Sequence, residues 1–150
     1  MLSRHRLCNV QIEVHSRRLH AYKKSPAAPR PLSILVVDDS VDTVLTLSIL
    51  LRDQGHVVHT CANANIAIEA VKRYQPDVCI LDIVMPGKTG FALAREVAAL
   101  TLEKRPLLIA ISGVFTEPRD VGLVKASGFD HLICKPANPD ELLELVNAAA

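Results

Sequence analysis

The stretch "SILVVDDSVD", Ser33 to Asp42, runs four aliphatics, Ile34, Leu35, Val36 and Val37, straight into two adjacent carboxylates, Asp38 and Asp39. A short continuous apolar run closed by polar residues reads as a strand buried on both faces. Like charges about 4 Å apart repel by roughly 4 kcal/mol at an effective dielectric near 20. An acid pair at the tip of a buried strand therefore calls for an offsetting cation.

Working outward from that stretch, the hydrophobic period alternates. Val41, Val44, Leu45, Ser48 and Leu51 lie at helical spacing, with Gly55 placed to end the helix. Val57–Thr60 reads as a second strand. Ala64–Tyr74 reads as a helix with Ile66, Ala67, Ala70 and Val71 inward, stopped by Pro76. A third strand over Val78–Leu81, a helix over Gly90–Leu100 and a fourth strand over Leu107–Ile111 follow. Then come a helix over Glu117–Ser127 closed by Gly128 and a short strand over Leu132–Cys134. Asn138 next offers an N-cap, with Pro139 at the first helical position and Glu141 three residues on. Strands alternating with helices across short loops predict an α/β fold, a parallel sheet wrapped on both faces.

Composition agrees. Apolar residues make up 49% of the 150 residues and charged residues 22%, as in an ordinary globular domain. The net charge of +1 is unevenly divided: residues 1–31 carry +6 and residues 32–150 carry −5. "SPAAPRP", Ser25 to Pro31, has the composition of a linker, so 1–31 reads as a basic, disordered extension and 32–149 as the domain. "CNVQIEVH" in the extension alternates apolar and polar residues and is also compatible with a short strand. The extension has one aromatic, Tyr22, and no helical basic stripe, so nucleic acid is not the expected partner. No run approaches 18 apolar residues and no secretory leader is recognisable, so the expected setting is cytoplasmic, away from a membrane. Cys8, Cys61, Cys79 and Cys134 lack metal-ligand spacing and read as thiols.

The polar residues that interrupt this pattern all follow apolar strands. Asp38 and Asp39 follow the first, Asp82 the third in "CILDIVMPGKTG", Ser112 the fourth in "LLIAISG" and Lys135 the fifth in "LICKPAN". In an open parallel sheet these tips share one edge, where ligands bind at the point of reversal. Three carboxylates gathered there suit Mg²⁺, which takes one or two carboxylates, waters and phosphate oxygens. With Asp38 and Asp39 on the metal, Asp82 is free to accept a phosphoryl group as an acyl phosphate. Lys135 supplies a cation and Ser112 a hydroxyl donor for the phosphoryl oxygens. Singly, each residue has a plainer reading: an N-cap for Asp38 or Asp39, a turn residue for Asp82, loop filler for Ser112, a solvated charge for Lys135. Their joint placement at strand tips favours the chemical reading.

Residues 32–149 resemble a response-regulator receiver domain of two-component signalling, on "ILVVDDS", "PDVCILDIVMPGKTG", "AISG" and "GFDHLICKP". The resemblance implies a doubly wound, flavodoxin-like sheet of five parallel strands in the order 2-1-3-4-5 with five helices. It implies phosphorylation at Asp82 and Mg²⁺ held by Asp38, Asp39, Asp82 and the backbone carbonyl of Val84. It implies that Ser112 and Lys135 contact the phosphoryl group and that Lys135-Pro136 is a cis peptide. The donor would be a histidine kinase or a histidine phosphotransfer protein, and an unidentified downstream protein would read the state. Such a domain phosphorylates itself but is not a turnover enzyme. One position departs from the family: Leu132 stands where an aromatic switch residue is common. By the same resemblance, Val84 and Val114 flank the path of the water that hydrolyses the acyl phosphate, and two apolar side chains there imply slow loss.

The alternatives are a docking module of the same fold that is never phosphorylated and, less favoured, an aspartyl-nucleophile phosphatase. The latter wants a D-x-D-x-[TV] pattern that "DDSVDT" does not supply. The chain ends at the close of the last expected helix. A free-standing receiver and a receiver from a hybrid histidine kinase both fit that ending, with "DDSVD" and "GFDH" leaning to the second.

Overall fold

The structure is a computed structural model and describes residues 30–115 and 117–150. The element order is β1 (Ser33–Val37), α1 (Val41–Asp53), β2 (Val57–Cys61), α2 (Ala64–Tyr74), β3 (Val78–Asp82), α3 (Gly90–Ala99), β4 (Leu107–Ser112), α4 (Pro118–Ala126), β5 (His131–Cys134) and α5 (Pro139–Asn147). The strands pair in parallel as β2-β1-β3-β4-β5. This is the doubly wound, flavodoxin-like order that was expected. The N-terminal extension expected over 1–31 falls outside the described residues up to position 29.

The strands are apolar on both faces because both are covered. Along β1, Leu35 and Val37 join a core with Ala67, Val71, Leu93, Val97 and Val124, under α2, α3 and α4. Ile34 and Val36 point the other way, into a core with Leu47, Leu51, Leu142 and Val146 under α1 and α5. The helices begin where side chains can satisfy free N–H groups. Ser40, Asn63, Thr89 and Asn138 each accept from the first turn of the helix that follows. Gly55 (φ 88°) and Gly128 (φ 101°) leave α1 and α4 in the left-handed region, the chain reversal that glycine permits at lowest cost.

Two expected faces differ. On α1, Val41 and Leu45 are not inward but exposed, with Ile49 one turn further on, while Leu47, Ser48 and Leu51 are buried. On α2, Ile66 is exposed and Ala64, Ala67, Ala70 and Val71 are buried. In α1 the apolar residues form two stripes, and the wider one, continued by Val44 and Leu50, covers more of the sheet. Cys61 and Cys79 are free and buried, as thiols were expected to be. Cys134 is disulfide-bonded, against that expectation, and Cys8 lies outside the described residues.

Candidate functional site

The parallel register brings four strand ends to one edge of the sheet. β1 stops at Val37, so Asp38 and Asp39 stand just past it. Asp82 and Ser112 are the last residues of β3 and β4 rather than the first beyond them, and Lys135 follows β5 directly. Asp82 lies opposite Ile111, and Ser112 opposite Cys134, so the third, fourth and fifth strands end nearly level.

The side chains meet. Lys135 Nζ is 2.9 Å from Asp38 Oδ2 and 3.2 Å from Asp82 Oδ2. Both carboxylates are buried, at 2% and 4% side-chain exposure, while Asp39 is exposed. One oxygen from each of Asp38, Asp39 and Asp82 lies within 4.8 Å of the others. The backbone holds these groups in place. Ser40 N donates to Asp38 Oδ1 at 2.8 Å, and Val84 N donates to Asp82 Oδ1 at 3.3 Å. Lys135 N donates to Ser112 O at 2.9 Å, tying the fifth strand's exit to the fourth. Lys135-Pro136 is cis, as expected.

The electrostatics follow from this packing. Burial and the charge of Asp38 push the Asp82 carboxyl up to about 6, against the pull of Lys135 and the Val84 N–H. For Lys135, burial works against the charged form. The hydrogen bonds and charges of Asp38 and Asp82 outweigh it, so its ammonium is held more firmly than usual. One partly exposed lysine thus pairs with two of the three clustered acids. The surplus of negative charge, with oxygens converging from three side chains, fits a hard divalent cation such as Mg²⁺.

Ser112 is fully buried, and its Oγ accepts from Val114 N at 3.1 Å and from Phe115 N at 2.9 Å. Leu132 is buried at 6% exposure in the core under α4. Val84 and Val114, at 51% and 68%, are among the most exposed large apolar residues and flank the site in chain position. An open cleft of about 470 Å³ adjoins Lys135, lined by Thr43, Thr46 and Ala137 among others.

Two positions escaped the sequence reading. Gly90, at the start of α3, packs on the backbone of Asp82. A Cβ there would lie 2.3 Å from Asp82 O, and Gly90 N donates to Ile83 O at 2.8 Å. A glycine opening an apolar helix just after "MPGKT" was the available signal. Phe115, beside Ser112, meets Phe91 edge to face. Residues this far apart in sequence leave no periodic trace.

With β2-β1-β3-β4-β5 winding and acids, hydroxyl and lysine at one edge, the molecule has the build of a receiver domain. The chain belongs to the response regulator receiver domain family, whose model matches residues 34–147. It is 32% identical over 117 residues to the protein PilH of Pseudomonas aeruginosa, covering 77% of this chain and 94% of that one. The solved structure of the chemotaxis protein CheY4 of Vibrio cholerae superposes with a TM-score of 0.74 at 29% identity, covering 80% of this chain and 99% of that one. The receiver domain of a signal transduction histidine kinase from Syntrophus aciditrophicus gives a TM-score of 0.69 at 28% identity, covering 79% of this chain and 89% of that one. Among the described residues, no helix is long and apolar enough to cross a membrane.

Proposed function

We propose that Asp82 accepts a phosphoryl group from the phosphohistidine of a histidine kinase or phosphotransfer protein, with Mg²⁺ at the acid cluster. The observation that carries this reading is the convergence of Asp38, Asp82 and Lys135 within hydrogen-bond distance at the strand edge. An Asp82 oxygen attacks phosphorus, a P–O bond forms as the P–N bond to the donor imidazole breaks, and the imidazole leaves with the bonding pair. Asp38, Asp39, Asp82 and the Val84 carbonyl would hold the metal, which supplies charge neutralisation at the phosphoryl oxygens. Lys135 is already poised on Asp82 and can follow the transferred group, and the Ser112 hydroxyl can donate to a phosphoryl oxygen.

The setting favours a macromolecular donor. Exposed Val41, Leu45 and Ile49 form an apolar stripe on the helix that starts just after the acid pair. The cleft beside Lys135 leaves room for a donor side chain. The module performs this transfer on itself and turns over no separate substrate. No observation favours the unphosphorylated docking module or the phosphatase.

The test is incubation with acetyl phosphate and Mg²⁺, followed by intact-mass and peptide analysis. One acid-labile phosphoryl group at Asp82, lost on chelation of Mg²⁺ and in Asp82→Asn, is the expected result. Labelling elsewhere, or unchanged labelling in Asp82→Asn, overturns the reading.

A further inference from the structure

The position at which the family commonly carries an aromatic switch is Leu132, and here it is buried in the core without a polar edge. The chain places aromatic rings elsewhere. Phe115 follows Ser112 by three residues, and its backbone N–H is bonded to the Ser112 hydroxyl at 2.9 Å. Its ring stands 5.0 Å from that of Phe91, at 82°, in an edge-to-face contact. Phe91 in turn meets the buried Phe129 at 6.4 Å and 72°. Phe91 is the second residue of α3, next to the Gly90 that abuts the Asp82 backbone. One hydroxyl therefore fixes the backbone of a residue whose ring caps an aromatic chain leading to the core.

We propose that Phe115 is the aromatic reporter of this receiver: when the Ser112 hydroxyl turns to a phosphoryl group on Asp82, Phe115 is released and its ring leaves Phe91. This rests on the phospho-acceptor reading of Asp82. The physical reason is competition for one small group. Ser112 Oγ accepts two loop N–H bonds, from Val114 and Phe115, as it now lies. Rotating the hydroxyl toward Asp82 removes the acceptor from both donors, and they must find water or new partners. The cheapest adjustment is movement of the exposed Gly113–Val114 segment, which carries Phe115 with it. Edge-to-face ring pairs add only modestly to area burial. That is small enough to be broken by loss of two hydrogen bonds. The face of Phe91 is then uncovered on the α3–α4 side, giving a partner an apolar surface present in only one state.

Phe91, Phe115 and Phe129 are the three phenylalanines of the 150-residue chain, so fluorophenylalanine labelling of that chain yields three fluorine NMR signals. Single Phe→Leu variants assign them. Beryllofluoride with Mg²⁺ is the probe, because its own bound fluorine signal reports occupancy of the site independently. The expected result is a bound beryllofluoride signal, shifts at Phe115 and Phe91, and stronger relaxation of Phe115 by a soluble gadolinium chelate. Ser112→Ala should bring the Phe115 signal toward the bound position before any beryllofluoride is added. A bound beryllofluoride signal with Phe115 unmoved, or less accessible to the chelate, overturns the latch while leaving the phospho-acceptor reading intact. No bound signal with Asp82 intact removes the phospho-acceptor reading, and the latch falls with it.

Discussion

Replacing Lys135 by Met tests how the acid cluster is tolerated. The substitution keeps an apolar stem and removes the ammonium that lies 2.9 Å from Asp38 and 3.2 Å from Asp82. Each contact carries roughly 5 kcal/mol of attraction at an effective dielectric near 20, most of it offset by the desolvation of the groups. Removing one partner of a buried ion pair costs about 3–5 kcal/mol, because the other charge is left uncompensated. Lys135 is 27% exposed, and Asp82, already pushed up to about 6, can escape by taking a proton. Both place the expected loss near the lower end, about 3 kcal/mol, in metal-free buffer at about pH 8. The folded-state value of Asp82 lies above its unfolded value, so proton uptake favours the fold as pH falls. The deficit of the variant should therefore shrink toward about pH 5. Mg²⁺ should restore more stability to the variant than to the wild type, since it replaces a missing cation. Urea denaturation followed by far-ultraviolet circular dichroism, with EDTA or with Mg²⁺, measures all three. A metal-free variant as stable as the wild type at the higher pH would refute the premise that Lys135 holds the acids together.

Four further outcomes are expected. Asp39→Ala should leave metal-free stability unchanged or slightly raised, since Asp39 is exposed and forms no ion pair among the described residues, yet abolish Mg²⁺ binding by titration and labelling by acetyl phosphate. Leu132→Ala should cost about 2–5 kcal/mol in urea unfolding, as a buried leucine does, while Asp82 still labels. Val84→Asn with Val114→Glu should speed decay of the phosphorylated protein, because polar groups beside the site can position the attacking water; an unchanged decay would show that the valines do not govern it. Burial holds His56 below its usual value, so the unfolded chain takes up its proton first and stability is lost as pH falls below about 6.5. His56→Gln should flatten that loss, measured as the shift in urea midpoint between about pH 7.5 and 5.5.

The acid pair after Val37 and the placement of Asp82, Ser112 and Lys135 were legible because a parallel sheet converts sequence order into position: every strand exits at the same edge. The strand order was legible only through resemblance, since alternating periods say nothing about which strand is central. The buried face of α1 was misread for a definable reason. Val41, Leu45 and Ile49 recur every four residues, Val44, Leu47 and Leu51 at spacings of three and four; both are helical, and period alone cannot say which stripe meets the sheet. The Phe91–Phe115–Phe129 chain was invisible because its members come from a helix, a loop and a strand approach, joined only by tertiary packing.

The counter-charge of the site arrives last during synthesis. Asp38, Asp39 and Asp82 leave the ribosome well before Lys135, which lies roughly 50 residues downstream of Asp82, or about 3–10 s at ordinary elongation rates. Through that interval the nascent chain has the central strands β1 and β3 but not the ammonium that their tips require. A half-sheet that closed early would bring the acids together unpaired, so premature compaction carries its own electrostatic penalty. Emergence of "LICKP" removes the penalty and supplies the edge strand β5 in one step. The side chain that pairs with both buried acids in the finished domain is thus the last member of the cluster to be made.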